Sequence, residues 1–313
     1  MKKREIIPIF FAVDDRYVPH LTVALRSLID NRSSKYDYEI NILIDTLEEG
    51  NKAILSSMRE ENVNISFIDV TERLRGICQR LHMRDYYTKA TYYRFFVPEM
   101  FPQYDKGLYL DCDIIITDDI SKLYHSPLGK NLVGAVTEEV MTDIDVFGRY
   151  SEIVLEIPRY EYFNAGILVM NLSEMRKYRI EEKFAEMLSE ITYRVAQDQD
   201  YLNKLCRGRV YYLNQKWNKT PMPHADRSVT PQIAHYKINF KPWRYDDIPY
   251  ADIFWKYAEK TPFYNYFADE KANYSEAEKN RDSVQFSSLA RLALEEIQNS
   301  NTETSDSFIL VEA

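Results

Sequence analysis

The stretch GLYLDCDIIIT, residues 107–117, is an apolar run that contains two closely spaced carboxylates, Asp111 and Asp113. We predict one strand over this stretch. An unpaired charge inside a buried strand is costly, so aspartates rarely occur there without a partner. Side chains two residues apart on a strand share a face, so both carboxylates can point at one cation where open α/β sheets bind ligands. The alternative is that they only end the strand and cap a turn.

On either side of this stretch, short apolar runs alternate with segments whose apolar residues recur at helical spacing. The other predicted strands are Ile6–Val13, Glu39–Ile44, Val63–Val70, Asn131–Val136 and Ile167–Leu172. The predicted helices carry the apolar positions Leu21 to Ile29 and Ile54 to Met58, or cover Ser173–Glu190 and Asp198–Arg207. This alternation predicts an α/β fold with a parallel sheet.

The composition is that of an ordinary globular protein, with 45% hydrophobic and 28% charged residues among 313. It excludes collagen, coiled-coil arrays and wholesale disorder. The formal net charge is −9, and an acidic chain lacks the basic residues on which nucleic-acid affinity rests. We therefore expect no nucleic-acid partner. A polyanionic ligand would need a local cation or a metal ion.

The cysteines and the apolar runs bear on location. Cys78, Cys112 and Cys206 show neither metal-ligand spacing nor a disulfide pattern, which predicts reduced thiols in a cytoplasmic protein. The apolar run behind the basic N-terminus contains Pro8 and is too short for an export signal. No stretch approaches the ~20 apolar residues of a membrane-spanning helix. We expect a cytoplasmic protein without an integral membrane segment.

The chain changes character after Trp243. Residues 250–313 hold six Lys or Arg against twelve Asp or Glu, and five apolar residues at helical spacing predict an amphipathic helix packed on the main domain: Phe286, Leu289, Ala290, Ala293 and Ile297. The acidic polar face argues against a membrane-surface helix. We predict a catalytic domain over 1–245 and a helical extension over 246–313, with a poorly ordered polar tail from about 299.

Two classes of enzyme place Asp-x-Asp at the end of an apolar strand. In glycosyltransferases the carboxylates hold a divalent metal on a nucleotide diphosphate. In phosphatases of the haloacid dehalogenase type, the first aspartate is the nucleophile. The phosphatase pattern has Thr or Val four residues later, where this chain has Ile115, and usually lies near the N-terminus of its domain. Both differences count against the phosphatase.

Further segments resemble glycosyltransferase family 8, the retaining, metal-dependent enzymes typified by bacterial lipopolysaccharide galactosyltransferases and by glycogenin. In the family's order and spacing, over roughly residues 6–243, the matching segments are FAVDD 11–15, TYYR 91–94, YLDCD 109–113, FNAG 163–166, QDQD 197–200, HY 235–236 and KPW 241–243. Each alone is weak, but the ordered set is specific. The resemblance implies a GT-A type nucleotide-binding fold, with a Rossmann-like mixed central sheet flanked by helices and a small C-terminal helical extension.

The resemblance also implies a metal site at Asp111, Asp113 and His235. Two carboxylates and one imidazole suit Mn²⁺ better than an all-oxygen Mg²⁺ or Ca²⁺ site, and Mg²⁺ is the alternative ion. The ion would bridge the diphosphate of a UDP-sugar and offset the charge that develops on the departing UDP. Lys241 would reach the same diphosphate as a point charge.

The family pattern assigns the rest of the donor site as well. Ala12 and Asp14 would hold the uracil and ribose, and Cys112 would contact the donor between the two aspartates. Arg94 would bind the donor sugar and fix the metal-binding carboxylates. The positions implied to touch the sugar are Asn164, Ala165, Asp198 and Gln199, and the predicted catalytic residues are Gln199, Asp198 and Arg94.

Gln199 would face the anomeric carbon, but its neutral amide oxygen is a poor nucleophile. We therefore favour attack on the same face as the leaving group, with the departing phosphate accepting the acceptor's proton. A protein nucleophile, as in retaining glycosidases, is the alternative. Acceptor-side residues are expected in 137–162, with Glu138 a candidate, because such segments often form lids.

Two positions depart from the family pattern. Arg16 stands where Asn is common, which leaves the contact with the base or ribose open. Ile238 stands where Gly is usual, and its Cβ bears on the backbone contact with the phosphate.

The sequence thus predicts a metal-dependent retaining glycosyltransferase that moves glucose or galactose from a UDP-sugar to an acceptor hydroxyl, in cell-surface glycan or glycoconjugate biosynthesis. The acceptor would be a saccharide, a lipid-linked saccharide or a glycoprotein. The alternatives are a phosphatase or sugar-nucleotide hydrolase that uses the same aspartates, and a non-catalytic protein that binds sugar nucleotides.

Overall fold

The structure is a computed structural model that describes residues 4–309, apart from residues 76, 78–80, 82–88 and 224. Cys78 lies outside the described residues. The strands are β1 (Glu5–Ala12), β2 (Tyr36–Ile44), β3 (Val63–Asp69), β4 (Gly107–Leu110), β5 (Ile114–Ile116), β6 (Val133–Ala135), β7 (Ile167–Met170), β8 (Val210–Tyr212) and β9 (Ile233–His235).

Helices connect and cover these strands. The α-helices are α1 (Val18–Asn31), α2 (Glu49–Ser56), α3 (Thr71–Arg75), α4 (Val97–Met100), α5 (Ser121–Tyr124), α6 (Glu139–Asp143), α7 (Asp145–Ile153), α8 (Leu172–Tyr178), α9 (Ile180–Glu190), α10 (Asp198–Cys206), α11 (Ala251–Ala258), α12 (Tyr264–Asn273) and α13 (Glu276–Ile309). Short 3₁₀ helices cover Asp15–Tyr17, Lys89–Phe95 and Gln215–Asn218.

Seven strands form a mixed central sheet in the order β3-β2-β1-β4-β7-β6-β8. Strands β1 to β4 run parallel, whereas β7 is antiparallel to both β4 and β6. Alternate residues of β7 enter different cores: Ile167 packs with α1 residues on one face, and Leu168 with α9 residues on the other. The predicted α/β class is confirmed, and the sheet is mixed, as the family resemblance implied, rather than wholly parallel.

The stretch 107–117 forms two strands, so the prediction of one strand was wrong. β4 lies in the central sheet, whereas β5 pairs with β9 in a separate two-stranded sheet. The exchange occurs at residues 111–113, where the Asp111 N–H donates to the Gly166 carbonyl (2.7 Å) and the Tyr236 N–H donates to the Asp113 carbonyl (2.9 Å). A continuous central strand would bury both carboxylates, so the chain leaves the sheet there.

The predicted helix over 173–190 is also two elements, α8 and α9. Arg179 between them has φ 59°, a left-handed conformation that cannot continue an α-helix. The predicted strand that ends at Leu172 stops at Met170, because Leu172 already begins α8. Neither Gly nor Pro marks the break at Arg179. The start of α8 does carry a signal, because Asn171 is its N-cap and accepts from the Glu174 N–H.

The C-terminal helices pack on the rest of the chain. Trp243, Phe254 and Phe267 belong to one buried cluster, in which the Trp243 and Phe254 rings lie 4.8 Å apart. Helix α13 packs against α7, with the Phe147 and Phe286 rings edge-on at 5.9 Å. This packing couples the extension to the segment after β6.

The predicted apolar face of α13 is confirmed. Ala293 and Ile297 are buried, and the other three predicted positions pack partly buried against the core. The helix continues to Ile309. The boundary at 245/246 and the poorly ordered tail from about 299 stay predictions. Across the residues that the structure describes, no helix has both the length and the hydropathy to cross a lipid bilayer.

Candidate metal and donor site

A cavity opens at the carboxyl ends of β1 and β4, the edge of an open α/β sheet where ligands bind. Its open volume is about 1210 Å³, part of it continuous with solvent. Of the predicted site residues, Lys241 does not line this cavity. The others do: Ala12, Asp14, Arg94, Asp111, Cys112, Asp113, Asn164, Ala165, Asp198, Gln199 and His235.

The three predicted metal ligands converge. One ligand atom from each of Asp111, Asp113 and His235 lies within 4.8 Å of the others. The His235 Nε2 is 3.3 Å from Asp113 Oδ1 and 3.7 Å from Asp111 Oδ2. The β5–β9 pairing produces this arrangement, because it sets Ile114 opposite His235. Two carboxylates and an imidazole are a donor set that fits a divalent transition metal such as Mn²⁺.

Lys241 is buried with its Nζ 2.6 Å from Asp113 Oδ2. Burial by itself would raise the pKa of Asp113, but Lys241 and His235 outweigh it and hold that pKa well below its usual range. The structure therefore places Lys241 on the carboxylate of Asp113, a predicted metal ligand, rather than on the cavity wall. Its contact with a bound diphosphate stays a prediction.

Arg94 links the predicted metal ligand Asp111 to Asp198, which is predicted to touch the sugar. Its Nη2 donates to Asp111 Oδ1 (3.2 Å), and its Nε lies 3.2 Å from Asp198 Oδ2. Its Nη1 donates to the Ala165 carbonyl, and its guanidinium stacks 4.4 Å from the centre of the Tyr109 ring. The side chain is only 3% exposed, so this arginine is fixed by its partners.

Asp198 begins α10, as predicted, and is buried. Burial raises the pKa of Asp198 to about 7, with Arg94 opposing the rise and Asp111 adding to it. A carboxyl group with this pKa exchanges a proton near neutral pH, a property common at active sites.

Gln199 faces the strand that follows Asn164 and Ala165. Its Oε1 accepts hydrogen bonds from the Ala165 N–H (2.9 Å) and the Asn164 Nδ2 (3.1 Å). Its Nε2 donates to the Tyr162 hydroxyl (3.3 Å), which in turn donates to Asp200 (2.7 Å). These contacts give the amide oxygen two donors and fix its orientation.

Asp14 caps the 3₁₀ helix that follows β1. Its Oδ1 accepts from the N–H groups of Arg16 (3.1 Å) and Tyr17 (3.2 Å), and the exposed Arg16 guanidinium reaches its Oδ2 (2.9 Å). The departure at Arg16 therefore places a cation on the carboxylate that the resemblance assigns to the nucleotide. Nearby, the Cys112 Sγ lies 3.2 Å from the Ala12 carbonyl, and burial raises the pKa of that thiol well above its usual value.

Ile238, where the family pattern has glycine, has a backbone conformation that favours glycine. Its φ is 55°, in the left-handed region that favours glycine and disfavours β-branched residues. Ile238 also lines the cavity.

The structure also shows what the sequence pattern missed or held weakly. Glu138 is buried, lines the cavity and pairs with Lys237, whose role had no sequence signal. A Cβ on Gly166 would lie 2.4 Å from His235 Cε1 and 2.5 Å from Asp111 Oδ2, so only glycine leaves room for both side chains. The FNAG segment contains this glycine, and that segment was the available signal.

Known sequences resemble this chain over most of its length. The pattern of Glycosyl transferase family 8 matches residues 8–247. General stress protein A of Bacillus subtilis (strain 168) is 28% identical over 284 residues, which cover 83% of this chain and 96% of the relative. Lipopolysaccharide 1,2-glucosyltransferase of Escherichia coli (strain K12) is 28% identical over 273 residues, 80% of this chain and 77% of the relative.

Solved structures share the fold. The bifunctional glycosyltransferase WbbM superposes with a TM-score of 0.76 at 25% identity, over 87% of this chain and 53% of that one. The galactosyltransferase LgtC, solved with donor and acceptor sugar analogues, gives 0.68 at 25% identity, over 82% of this chain and 96% of that one. The GT-A fold is confirmed, and a glycosyltransferase is favoured over a phosphatase. The chain belongs to glycosyl transferase family 8.

Proposed function

We propose that this glycosyltransferase moves a hexose, glucose or galactose, from a UDP-sugar to an acceptor hydroxyl with retention of configuration. The observation that carries the proposal is the convergence of Asp111, Asp113 and His235 within 4.8 Å on the wall of the cavity. A relative named for glucosyl transfer and a structural neighbour named as a galactosyltransferase support a hexose. The proposed acceptor is a saccharide, a lipid-linked saccharide or a glycoprotein of cell-surface glycan synthesis.

Asp111, Asp113 and His235 would hold the divalent metal, for which we propose Mn²⁺ with Mg²⁺ as the alternative. Such an ion supplies positive charge against the diphosphate of the leaving group. Arg94 keeps Asp111 in place, and Lys241 keeps Asp113 ionised. The chain's own residues thus prepare an anionic pocket that accepts a diphosphate only together with a cation.

Ala12 and Asp14 would receive the uracil and ribose, and Asn164, Ala165 and Gln199 the hexose. The Gln199 oxygen is occupied by two hydrogen bonds, and the Asp198 carboxylate is turned to Arg94. Because both candidate nucleophiles are engaged by these partners, the contacts support attack by the acceptor on the same face as the leaving group. The acceptor oxygen bonds to the anomeric carbon as the bond to phosphate breaks, and the hydroxyl proton passes to the departing phosphate.

The first experiment measures UDP release from a panel of nucleotide sugars, with Mn²⁺ and with EDTA. Slow Mn²⁺-dependent release from UDP-glucose or UDP-galactose without acceptor is the expected result. If no donor releases UDP, and sugar phosphates release phosphate in Mg²⁺, the proposal is contradicted. The anomeric proton of the product, read by NMR, tests retention. A sugar covalently trapped on Gln199 or a neighbouring carboxylate would overturn same-face attack.

We also propose a cytoplasmic location. Cys112 and Cys206 are both buried and free of disulfides, as expected of thiols in a reducing compartment. Cell fractionation with an antibody against the chain tests this, and recovery of the protein from outside the cytoplasm would contradict it.

A further inference from the structure

A chain of buried hydrogen bonds leads away from the metal ligand His235. The His235 Nδ1 is 2.9 Å from Asn218 Oδ1, and the Asn218 Nδ2 donates to Asn164 Oδ1 (2.8 Å). The Asn164 Nδ2 donates in turn to Glu138 Oε2 (2.7 Å). The four side chains are each at most 6% exposed, so solvent does not compete for these bonds.

Glu138 determines which group donates and which accepts at each step of this series of hydrogen bonds. Burial alone would raise the pKa of Glu138, but Lys237 outweighs it and lowers that pKa, so the carboxylate accepts hydrogen bonds only. The amide nitrogen of Asn164 must therefore face Glu138. Independently, the Gly166 N–H donates to Asn164 Oδ1 (2.9 Å), which fixes the same orientation of the amide.

The orientation of Asn164 determines the orientation of the Asn218 amide, and through it the protonated nitrogen of the His235 imidazole. Because Asn164 presents its oxygen, Asn218 must turn its nitrogen to Asn164 and its oxygen to His235. An amide oxygen accepts only, so the Nδ1 of His235 carries a proton. In the neutral imidazole, Nε2 is then a bare lone pair directed at the two aspartates. When His235 is neutral, as metal binding requires, these three groups face one another as electron donors and favour a cation between them.

We propose that Asn218 is a positioning residue that fixes the tautomer and ring orientation of His235 for metal binding. Partners of this kind, on the far nitrogen of a ligating histidine, raise metal affinity. The inference rests on the proposed function in one respect, that the site holds a divalent metal. It is independent of the donor sugar and of the acceptor. The same Asn164 amide also donates to Gln199, so one anchor orders both the metal ligand and the sugar side.

The test measures the Kd of Mn²⁺ alone, without nucleotide, by titration calorimetry on the full chain. Asn218→Ala removes the acceptor from Nδ1 and should raise the Kd about 10- to 100-fold. Asn218→Asp keeps an acceptor for the Nδ1 proton and should bind Mn²⁺ more tightly than Asn218→Ala. If Asn218→Ala does not fold by circular dichroism, Asn218→Leu replaces it, because it removes the same acceptor and keeps a side chain that branches at Cγ.

The matched control is Asn62→Ala. Asn62 is also buried and satisfied, since it donates to the carbonyls of Ser33 (3.2 Å) and Tyr36 (2.9 Å) and accepts from Arg32 (2.7 Å). It does not line the cavity. Its variant should lower the unfolding midpoint without changing the Mn²⁺ Kd.

An unchanged Kd in the folded Asn218 variants would overturn the inference, as would an equal rise in Asn62→Ala. UDP release separates the two proposals. If the Mn²⁺ Kd depends on Asn218 but the wild-type protein releases no UDP from any donor, the proposed function alone is contradicted. Wild-type protein that binds neither Mn²⁺ nor Mg²⁺ would contradict both.

Discussion

The cavity has two kinds of wall. The proposed metal cluster, Asp111, Asp113 and His235, is held by directional bonds from buried polar side chains. The apolar wall is assembled by packing from α6, α7, the loop after β9 and α13: Val140, Met141, Phe147, Ile238 and Leu289. Directional bonds fix positions to fractions of an ångström, whereas apolar packing tolerates substitution of similar volume. We therefore expect the metal cluster to be intolerant of change and the apolar wall to be adjustable.

The largest effect is expected from the metal cluster itself. Asp111→Asn and Asp113→Asn should each lower kcat more than about 100-fold, because a metal ligand contributes several kcal/mol to the transition state. Asn keeps the shape of the side chain, so the fold should persist by circular dichroism. The measurement is Mn²⁺-dependent release of UDP, with the exposed Asp105→Asn as a control that keeps its activity. Near-wild-type turnover in either metal-ligand variant would sink the metal assignment.

The next largest effect tests whether the side chains of the metal cluster can move without loss of metal affinity. In Gly166→Ala the new Cβ must displace His235 or Asp111, because it would lie within 2.5 Å of both side chains. We expect the Mn²⁺ Kd to rise about tenfold or more. The control is Gly50→Ala in α2, because a Cβ there would have no neighbouring atom within 4 Å and alanine is the better helix former. Equal Mn²⁺ affinity in the two variants would mean that the cluster is as adjustable as the apolar wall.

A third prediction concerns the pH dependence of stability on the polar side. The pKa of Asp198 rises from about 3.9 in the unfolded chain to about 7 in the native state. Native Asp198 thus holds a proton in this interval that the unfolded chain has released. Its contribution to stability is fully present below about pH 4 and is lost as pH rises through about 7.

Asp198→Asn removes this titration. The free energy of unfolding of wild type, relative to Asp198→Asn, should fall by about 3 kcal/mol between pH 5 and pH 8. Urea denaturation of both proteins in EDTA measures it. A difference that stays constant across this pH range would contradict the raised pKa.

The smallest effect is expected at the apolar wall. Leu289→Ala should leave acceptor-independent UDP release unchanged and raise the KM of a stimulating saccharide acceptor about fivefold, as expected for about 1 kcal/mol of lost apolar contact. Leu294→Ala, exposed on the same helix, is the control. If Leu289→Ala impairs acceptor-independent release as strongly as transfer, the two walls do not act separately.

The sequence pointed to the three side chains of the proposed metal cluster, which the structure brings together, because they lie in recognisable segments. Asp111 and Asp113 stand out against an apolar run, and His235 follows from the order of the family segments. Asn218 was missed, because a single asparagine in QKWN has no pattern, and its role depends on a neighbour 54 residues away. Long-range hydrogen-bond chains leave no periodic trace in a sequence.

Strands and helices were predicted well where hydrophobic periodicity or charged residues marked them in the sequence. They were predicted poorly where the boundary depends on backbone conformation or strand pairing alone. The break inside 107–117 follows a change of strand partner, which the apolar Ile114–Ile116 run does not reveal. The break at Arg179 depends on one positive φ. Leu289 was predicted as part of an apolar face, but its place on the cavity wall depends on how α13 packs.

The passage between β4 and β5 has a consequence for the integrity of the molecule. Asp111 directly follows β4 of the large sheet, whereas Asp113 directly precedes β5 of the small sheet and His235 ends β9 of that sheet. An ion held by all three would act as a removable crosslink between two sheets that are separate in their strand pairing. At a metal concentration 100 times its Kd, such a crosslink stabilises the native state by about 2.7 kcal/mol. Withdrawal of the metal would then loosen the seam between the sheets, so the same ion would set both the chemistry and the cohesion of the fold.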